Sequence, residues 1–230
     1  AWFVTADQTG GRGRRGRPWQ GRPGNLAASI LLTVDRPAAV AATIGFVAGI
    51  ALCDAIDAVA SGVGGERVSL KWPNDALLGG AKVAGILLEA RAREGATTIV
   101  AGIGVNVASS PEDTPYPATH LQASMPGVTA EDLFAALSDA WVESFAAWQA
   151  HRGFLGLRDR WIARASGIGD VVDGLLDERF FRTGDAGLRQ LHGMRPVERA
   201  RRTLLGREVA CVGRRRELGT LEAIFEEATE

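Results

Sequence analysis

Residues 10–19 read GGRGRRGRPW, and this stretch organises the interpretation of the whole chain. Four arginines alternate with four glycines before a proline and a tryptophan close the run. Glycine lets backbone N–H groups approach an anion, and arginine offers fixed charge with a planar fork of donors. Since little apolar surface can be buried, we expect a loop that is mobile when empty and orders around an anionic ligand. On composition alone, a solvated basic turn or a nucleic-acid arm explains the stretch as well as an anion-binding loop does.

Composition sets the class of protein. The chain has 230 residues, 46% of them hydrophobic and 23% charged, which is typical of a globular protein with a sizeable core. A net charge of −1 provides no protein-wide field that favours nucleic acid. Cys53 and Cys211 match no metal or redox spacing, and residues 1–4 show no secretion pattern. These features favour a reduced, cytoplasmic protein.

Lysine is rare in this chain. Of the 26 basic residues only Lys71 and Lys82 are lysines. Lysine is a compact point charge that can enter a tight polar site, whereas the guanidinium is bulky and planar. The two positions are therefore candidates for a specific role, with chance as the alternative.

Hydrophobic periodicity predicts alternating strands and helices. Pro37 suits the first turn of a long helix whose uncharged part is too short for a membrane span, so we expect a buried core helix. Thr129 and Asp132 form a capping-box pattern ahead of an amphipathic helix. A change in composition predicts a domain boundary near residues 166–170. The predicted strands are 2–6, 26–34, 68–72, 82–90 and 98–107, and the predicted helices are 38–60, 129–150 and 154–165.

Three further motifs accompany the arginine-glycine loop. Residues 71–75 read KWPND, residues 82–89 read KVAGILLE and residues 102–107 read GIGVNV. In this order and spacing they closely resemble the catalytic domain of biotin–protein ligases, over residues 4–164. The resemblance implies an α+β fold in which a mixed, largely antiparallel sheet packs against helices, as in class II synthetases, over residues 1–167.

The resemblance also implies a two-step reaction. The carboxylate of biotin attacks the α-phosphate of ATP, with Mg²⁺, and a lysine of a biotin carboxyl carrier protein then takes the biotinyl group. By position, the catalytic residues are Arg14, Lys71 and Lys82. The biotin contacts are Gln8, Gly11, Arg12, Gly13, Arg14, Lys82 and Gly85, and the nucleotide contacts are Arg15, Arg17, Trp19 and Asn106.

Other implications are less specific. Asp75 is a candidate Mg²⁺ residue, with an Asx-type turn after Pro73 as the equal alternative. A homodimer through the sheet is compatible with the resemblance. Neither a DNA-binding helix-turn-helix nor a membrane partner is indicated.

The chain departs from the family pattern at both ends. Nothing matches the Ser-Thr-Asn motif that holds the ureido ring in the family, so we expect an N-terminally incomplete fold and weakened biotin binding. Residues 168–230 form an atypical tail that resembles the lead-in to an ATPase module of bacterial signalling proteins, without its phosphate loop. The alternatives are a lipoate–protein ligase and a non-catalytic biotin-binding fragment.

Overall fold

The computed structural model describes residues 1–5, 8–60, 67–150 and 153–167, together with two short strands further on. The chain divides into two units, Ala1–Ser166 and Gly167–Glu230. The site residues discussed below belong to the first unit. Most of the tail that resembles an ATPase lead-in lies outside the described residues, and that interpretation stays a prediction.

The first unit contains six strands and four helices within its described residues. The sheet order is β1-β2-β6-β5-β4-β3, and every pair of neighbouring strands is antiparallel. Parallel pairing occurs among the described residues only as isolated bridges, Leu70 with Ala165 and Lys82 with Ala118. The elements are β1 (Trp2–Thr5), β2 (Leu26–Val34), α1 (Ala38–Ala41), α2 (Ile44–Val59), β3 (Ser69–Lys71), β4 (Asp75–Leu78), β5 (Ala81–Arg93), β6 (Ala96–Val105), α3 (Ala130–Gln149) and α4 (Gly153–Arg164).

One face of the sheet is covered by the helices. Alternate residues of β2, such as Leu26, Ala28 and Ile30, are buried, as are alternate residues of β6. This period of two is that of a sheet with one face packed on a core. The residues of β6 that alternate with the buried ones, such as Gly102 and Gly104, face away from the helices and are partly exposed. In the second unit, β7 (Thr203–Leu204) pairs antiparallel with β8 (Arg207–Glu208).

The single helix predicted over residues 38–60 is wrong in one respect, because it is broken between α1 and α2. The Thr43 hydroxyl donates to the Val40 carbonyl at 2.6 Å, and Trp148 Nε1 donates to the same hydroxyl at 2.7 Å. A threonine that bonds back to its own turn and to another helix interrupts regular helix geometry. The capping box of Thr129 and Asp132 is confirmed at the start of α3.

The apolar segment Ala38–Val59 is long and apolar enough to cross a membrane by length and composition, but 67% of its 18-residue apolar stretch is buried inside the structure. Gly45 and Gly49 explain how closely it packs. A Cβ at Gly45 would lie 3.0 Å from Leu88, and one at Gly49 would lie 3.3 Å from Leu70. The segment packs as core helices against the sheet, as the sequence predicts.

Strand β4 is absent from the sequence prediction. It begins at Asp75, the last residue of the KWPND motif, where the sequence also allows an Asx-type turn after Pro73. A four-residue strand gives little periodicity. β4 fills the position between β3 and β5 and brings Asp75 into the sheet.

Candidate active site

A single register row crosses all six strands and carries several predicted site residues. Directly opposed residues of antiparallel strands have their side chains on the same face of a sheet. The row therefore aligns distant parts of the sequence on the face away from the helices. From β3 to β1 it runs Lys71, Asp75, Gly85, Gly104, Ala27 and Thr5.

The middle of this row is a trough, defined by Gly85, Gly104 and Ala27. The indole of Trp19 lies in it. A Cβ at Gly104 would come within 2.5 Å of the Trp19 ring, and one at Gly85 within 3.2 Å. The small residues thus let a flat group lie directly on the strand backbone. Trp19 was expected at the nucleotide, but its indole lies on Gly85, a residue expected at biotin.

The arginine-glycine loop forms a short hairpin that delivers Trp19 to the trough. Gly13 N donates to Arg17 O at 2.7 Å, and Trp19 N donates to Gly11 O at 3.0 Å. A single 3-10 turn, Arg14–Gly16, makes the bend. These bonds hold the loop backbone, whereas the side chains of Arg12, Arg14 and Arg17 are exposed. The guanidinium groups are therefore accessible to a ligand, although the expected mobility of the empty loop stays a prediction.

Lys82 points its ammonium group into this site from the start of β5. Its side chain is 16% exposed, and Nζ lies 2.8 Å from Oδ1 of Asp75. That oxygen is buried, so the ion pair is shielded from water. The contact is thus a close ion pair between the ammonium group and a single carboxylate oxygen. The tip of Lys82 also lies 3.7 Å from the Cβ position at Gly85.

Asn74 links the loop to the sheet, and the sequence analysis assigned it no role. Its Nδ2 donates to Ile86 O at 3.0 Å, and Ile86 N donates to Asn74 O at 2.8 Å. Nη1 of Arg14 donates to Asn74 Oδ1 at 3.4 Å. Asn74 therefore connects Arg14 to the part of the sheet where β4 pairs with β5, the strand that carries Lys82. The sequence signal that could have identified Asn74 as a site residue is its position inside the KWPND motif.

Asn106 is buried behind the site. Its Nδ2 donates to Thr119 O at 3.0 Å, and its backbone N donates to Val83 O at 2.8 Å. The side-chain amide of Asn106 is therefore bonded to the segment that follows β6 and stabilises that segment in this structure. A direct contact of Asn106 with a nucleotide stays a prediction.

Lys71 and Gln8 differ in their surroundings. Lys71 is exposed at the edge strand β3, directly opposite Asp75. Oε1 of Gln8 is buried without a hydrogen-bond partner among the described residues, close to Gly11 and Gly21. A buried free acceptor is costly unless a ligand or water satisfies it. The side chain of Arg15 lies outside the described part of the chain.

The donor set allows only a limited metal role for Asp75. Among the described residues no three His, Cys, Asp or Glu side chains form a group that could hold a metal ion. Mg²⁺ is commonly held by one or two carboxylates together with substrate phosphates. Asp75 fits that pattern as a single carboxylate, and only with phosphate oxygens supplying further ligands.

Comparisons with known proteins place the chain in a family. The model of the Biotin/lipoate A/B protein ligase family matches residues 2–106. A biotin–[acetyl-CoA-carboxylase] ligase of Paracoccus denitrificans is 39% identical over 178 residues, which cover 75% of this chain and 73% of that protein. The chain therefore belongs to the biotin/lipoate A/B protein ligase family.

Two further relatives show the extent of the likeness. The bifunctional ligase/repressor BirA of Bacillus spizizenii is 32% identical over 73% of this chain, and the chain spans about half (52%) of its length. The biotin protein ligase of Aquifex aeolicus in complex with biotin and ATP is 26% identical, with a TM-score of 0.58 over 71% of this chain and 68% of that one. The predicted fold class is confirmed.

Proposed function

We propose that this chain is an ATP-dependent biotin–protein ligase that forms biotinyl-5′-AMP and transfers biotin to a lysine. The observation that carries the proposal is the Lys82–Asp75 ion pair beside the Gly85–Gly104 trough, with Arg14 bonded to Asn74, the neighbour of Asp75 in the chain. The trough offers a flat apolar floor for a small ring system, and the cations stand at one end of it. Family membership and the relatives' biotin ligase names support the same reaction.

In the first step, a biotin carboxylate oxygen attacks the α-phosphorus of ATP, and the bond to the β-phosphate oxygen breaks to release pyrophosphate. Two anions must approach each other, so cationic donors are needed where negative charge builds up. We assign this role to Arg14 and Lys82, which would bridge the carboxyl group and the α-phosphate. Lys71 would contact phosphate from the edge of the sheet, and Mg²⁺ would bind phosphate oxygens beside Asp75.

In the second step, the amine of an acceptor lysine attacks the acyl carbon, loses a proton and displaces AMP. Lysine in a biotin carboxyl carrier protein is the acceptor in this proposal. Placing both reactants in one site removes a large entropic cost. Because the indole of Trp19 covers the trough, it would also shield the mixed anhydride from water. For biotin to lie on Gly85, the indole must shift or stack on the ligand.

Gln8 supports the choice of biotin. Its buried amide oxygen has no hydrogen-bond partner among the residues that the structure describes, and a ureido N–H is the type of donor it lacks. The remaining loop residues, Gly11, Arg12 and Gly13, would line the same pocket, while Arg15, Arg17 and Asn106 would face the nucleotide. The free buried thiol of Cys53 is consistent with a cytosolic location.

The test is transfer of labelled biotin to a purified carrier domain with ATP and Mg²⁺, with biotinyl-AMP quantified separately. We expect transfer by the unaltered chain. Lys82→Met should decrease adenylate formation by about a hundredfold. Arg93→Ala, which removes an exposed charge at the far end of β5, serves as the control and should match the unaltered chain.

Each alternative gives a different result. Transfer of labelled lipoate to the carrier domain, with no decrease when unlabelled biotin is added, would indicate a lipoate–protein ligase. Tight biotin binding without adenylate or transfer in folded protein would indicate a non-catalytic binding protein. Sedimentation of the same sample determines whether the chain forms the homodimer that the resemblance allows.

A further inference from the structure

Tyr116 contacts the key ammonium group from a segment that the proposed function does not use. Nζ of Lys82 lies over the Tyr116 ring, 5.2 Å from its centroid, and over the Trp19 ring at 5.7 Å. The two rings and Asp75 thus surround one ammonium group. Tyr116 is the only tyrosine of the chain and is 40% exposed.

The backbone fixes the Tyr116 segment relative to Lys82. Lys82 N donates to Pro117 O at 2.8 Å, and Thr119 N donates to Lys82 O at 2.9 Å. Ala118 forms a parallel bridge with Lys82, so the segment extends the sheet beside the start of β5. On the other side of Tyr116, the Thr114 hydroxyl donates to the Tyr116 carbonyl at 2.5 Å. The ring is therefore anchored to the same backbone that carries Lys82.

Lysine has a flexible four-carbon stem, and Asp75 alone would not hold its ammonium group in one place. An aromatic face attracts a cation without accepting a directional N–H hydrogen bond from it. The ion pair with Asp75 joins the ammonium group to one carboxylate oxygen at 2.8 Å, which occupies at most one of its three N–H donors. The ammonium group is thus confined while two of its N–H donors stay available for ligand oxygens.

We propose that Tyr116 is a positioning residue that holds the Lys82 ammonium group beside the trough. The inference rests on the proposed function only in assigning Lys82 to the acyl phosphate. The aromatic ring, rather than the phenol hydroxyl, performs the role. Trp19 contributes a second face, but it belongs to the loop that must rearrange around ligand, whereas Tyr116 is anchored to β5.

Kinetics of biotinyl-AMP formation provide the first test. Tyr116→Leu and Tyr116→Met remove the ring and should decrease kcat/KM for biotin by about fivefold. Tyr116→Phe keeps the ring and should restore the value of the unaltered chain. Phe3→Leu is the matched control, because Phe3 is an exposed aromatic residue (60%) on β1, at the opposite edge of the sheet.

Nuclear magnetic resonance provides a second test that needs no activity. With only two lysines, a chain labelled with ¹³C-lysine gives two ε-methylene signals, and exposed Lys71 is an internal reference. Protons above a ring face are shifted upfield by the ring current. We expect the Lys82 signal upfield of the Lys71 signal, with the shift decreased in Tyr116→Leu and retained in Tyr116→Phe.

The inference is overturned if Tyr116→Leu leaves either the Lys82 signal or kcat/KM unchanged. It is also overturned if Tyr116→Phe loses as much as Tyr116→Leu, since the hydroxyl would then be responsible. If the unaltered chain forms no adenylate, the proposed function fails, while the Lys82 signal still tests the position of Tyr116. If adenylate forms normally in Tyr116→Leu and Tyr116→Met, only this inference fails.

Discussion

A methyl group on Gly104 would lie 2.5 Å from the Trp19 ring, closer than non-bonded atoms approach, whereas one on Gly102 would find its nearest neighbour at 3.7 Å. Both glycines lie on β6 and face away from the helices. The contrast between them isolates the trough from general effects of substituting a glycine in a strand.

We therefore expect Gly104→Ala to displace the indole and to decrease kcat/KM for biotin by about tenfold, because displacement by 1 Å is costly in a catalytic site. Gly102→Ala should stay close to the unaltered chain. Steady-state kinetics of adenylate formation check this, with thermal unfolding to verify that both variants fold. Equal kinetics for the two variants would contradict the role of the trough.

Cys53 offers a separate test of the core. Burial raises the pKa of its thiol from 9.0 to about 12, with Arg164 opposing the shift. Below pH 9 the thiol is protonated in both states. Between pH 9 and 12 the unfolded chain loses the proton while the folded chain retains it, so the free energy of unfolding decreases as pH rises, by about 1 kcal/mol per pH unit.

The measurement is chemical denaturation between pH 8 and 11 of the unaltered chain and of Cys53→Ala. The difference in stability between them should narrow as the pH rises above 9. A difference that stays constant to pH 11 would show that the thiol is not buried as described.

At the scale of elements, Asn25 connects the start of β2 to the segment after β6. Its Oδ1 accepts hydrogen bonds from the backbone N–H groups of Val107 and Ala108 at 2.9 Å and of Ser109 at 3.2 Å. Its Nδ2 donates to Ser109 O at 2.9 Å. One side chain thus provides hydrogen-bond partners for three backbone N–H groups and one carbonyl where the chain leaves the sheet toward Tyr116.

Asn25→Ala should lower the free energy of unfolding by about 2 kcal/mol, because the buried N–H groups lose their acceptor. Asn25→Asp keeps the acceptor and loses only the donor, so it should be destabilised less. Denaturant unfolding curves compare the two. If the two variants were equally stable, the three accepted bonds would not be important.

The sequence analysis was most accurate for elements with strong local periodicity. The strand predicted over residues 26–34 coincides with β2, and the helix capped by Thr129 matches α3. Strand β4 and the break at Thr43 were missed, because a four-residue strand and a hydrogen bond to Trp148 depend on distant parts of the chain.

The same reason limited the prediction of the site. The motifs identified Lys82 and the loop as candidates, but the row that aligns Lys71 with Gly104 depends on three strand registers. Asn74 and Tyr116 act through contacts at 60 and 34 residues along the chain, with Arg14 and Lys82 respectively. Local sequence patterns do not carry that information.

At the scale of the molecule, the division of the chain yields a prediction about the tail. Among the described residues, those in the hydrophobic core and the candidate site all precede Gly167. A chain ending at Gly167 should therefore keep the unfolding midpoint and the rate of adenylate formation of the full chain. Calorimetry and the adenylate assay check this, and loss of either property would show that residues 168–230 are required.

The central claim is that the arginine-glycine hairpin and Lys82 hold an acyl-adenylate over the Gly85–Gly104 trough. A crystal structure of the full chain with biotinyl-5′-AMP tests it most directly. We predict that Nζ of Lys82 and the guanidinium group of Arg14 lie within about 3 Å of acyl or phosphate oxygens, as hydrogen-bond donors do. A ligand bound elsewhere, with both side chains directed into solvent, would contradict the claim.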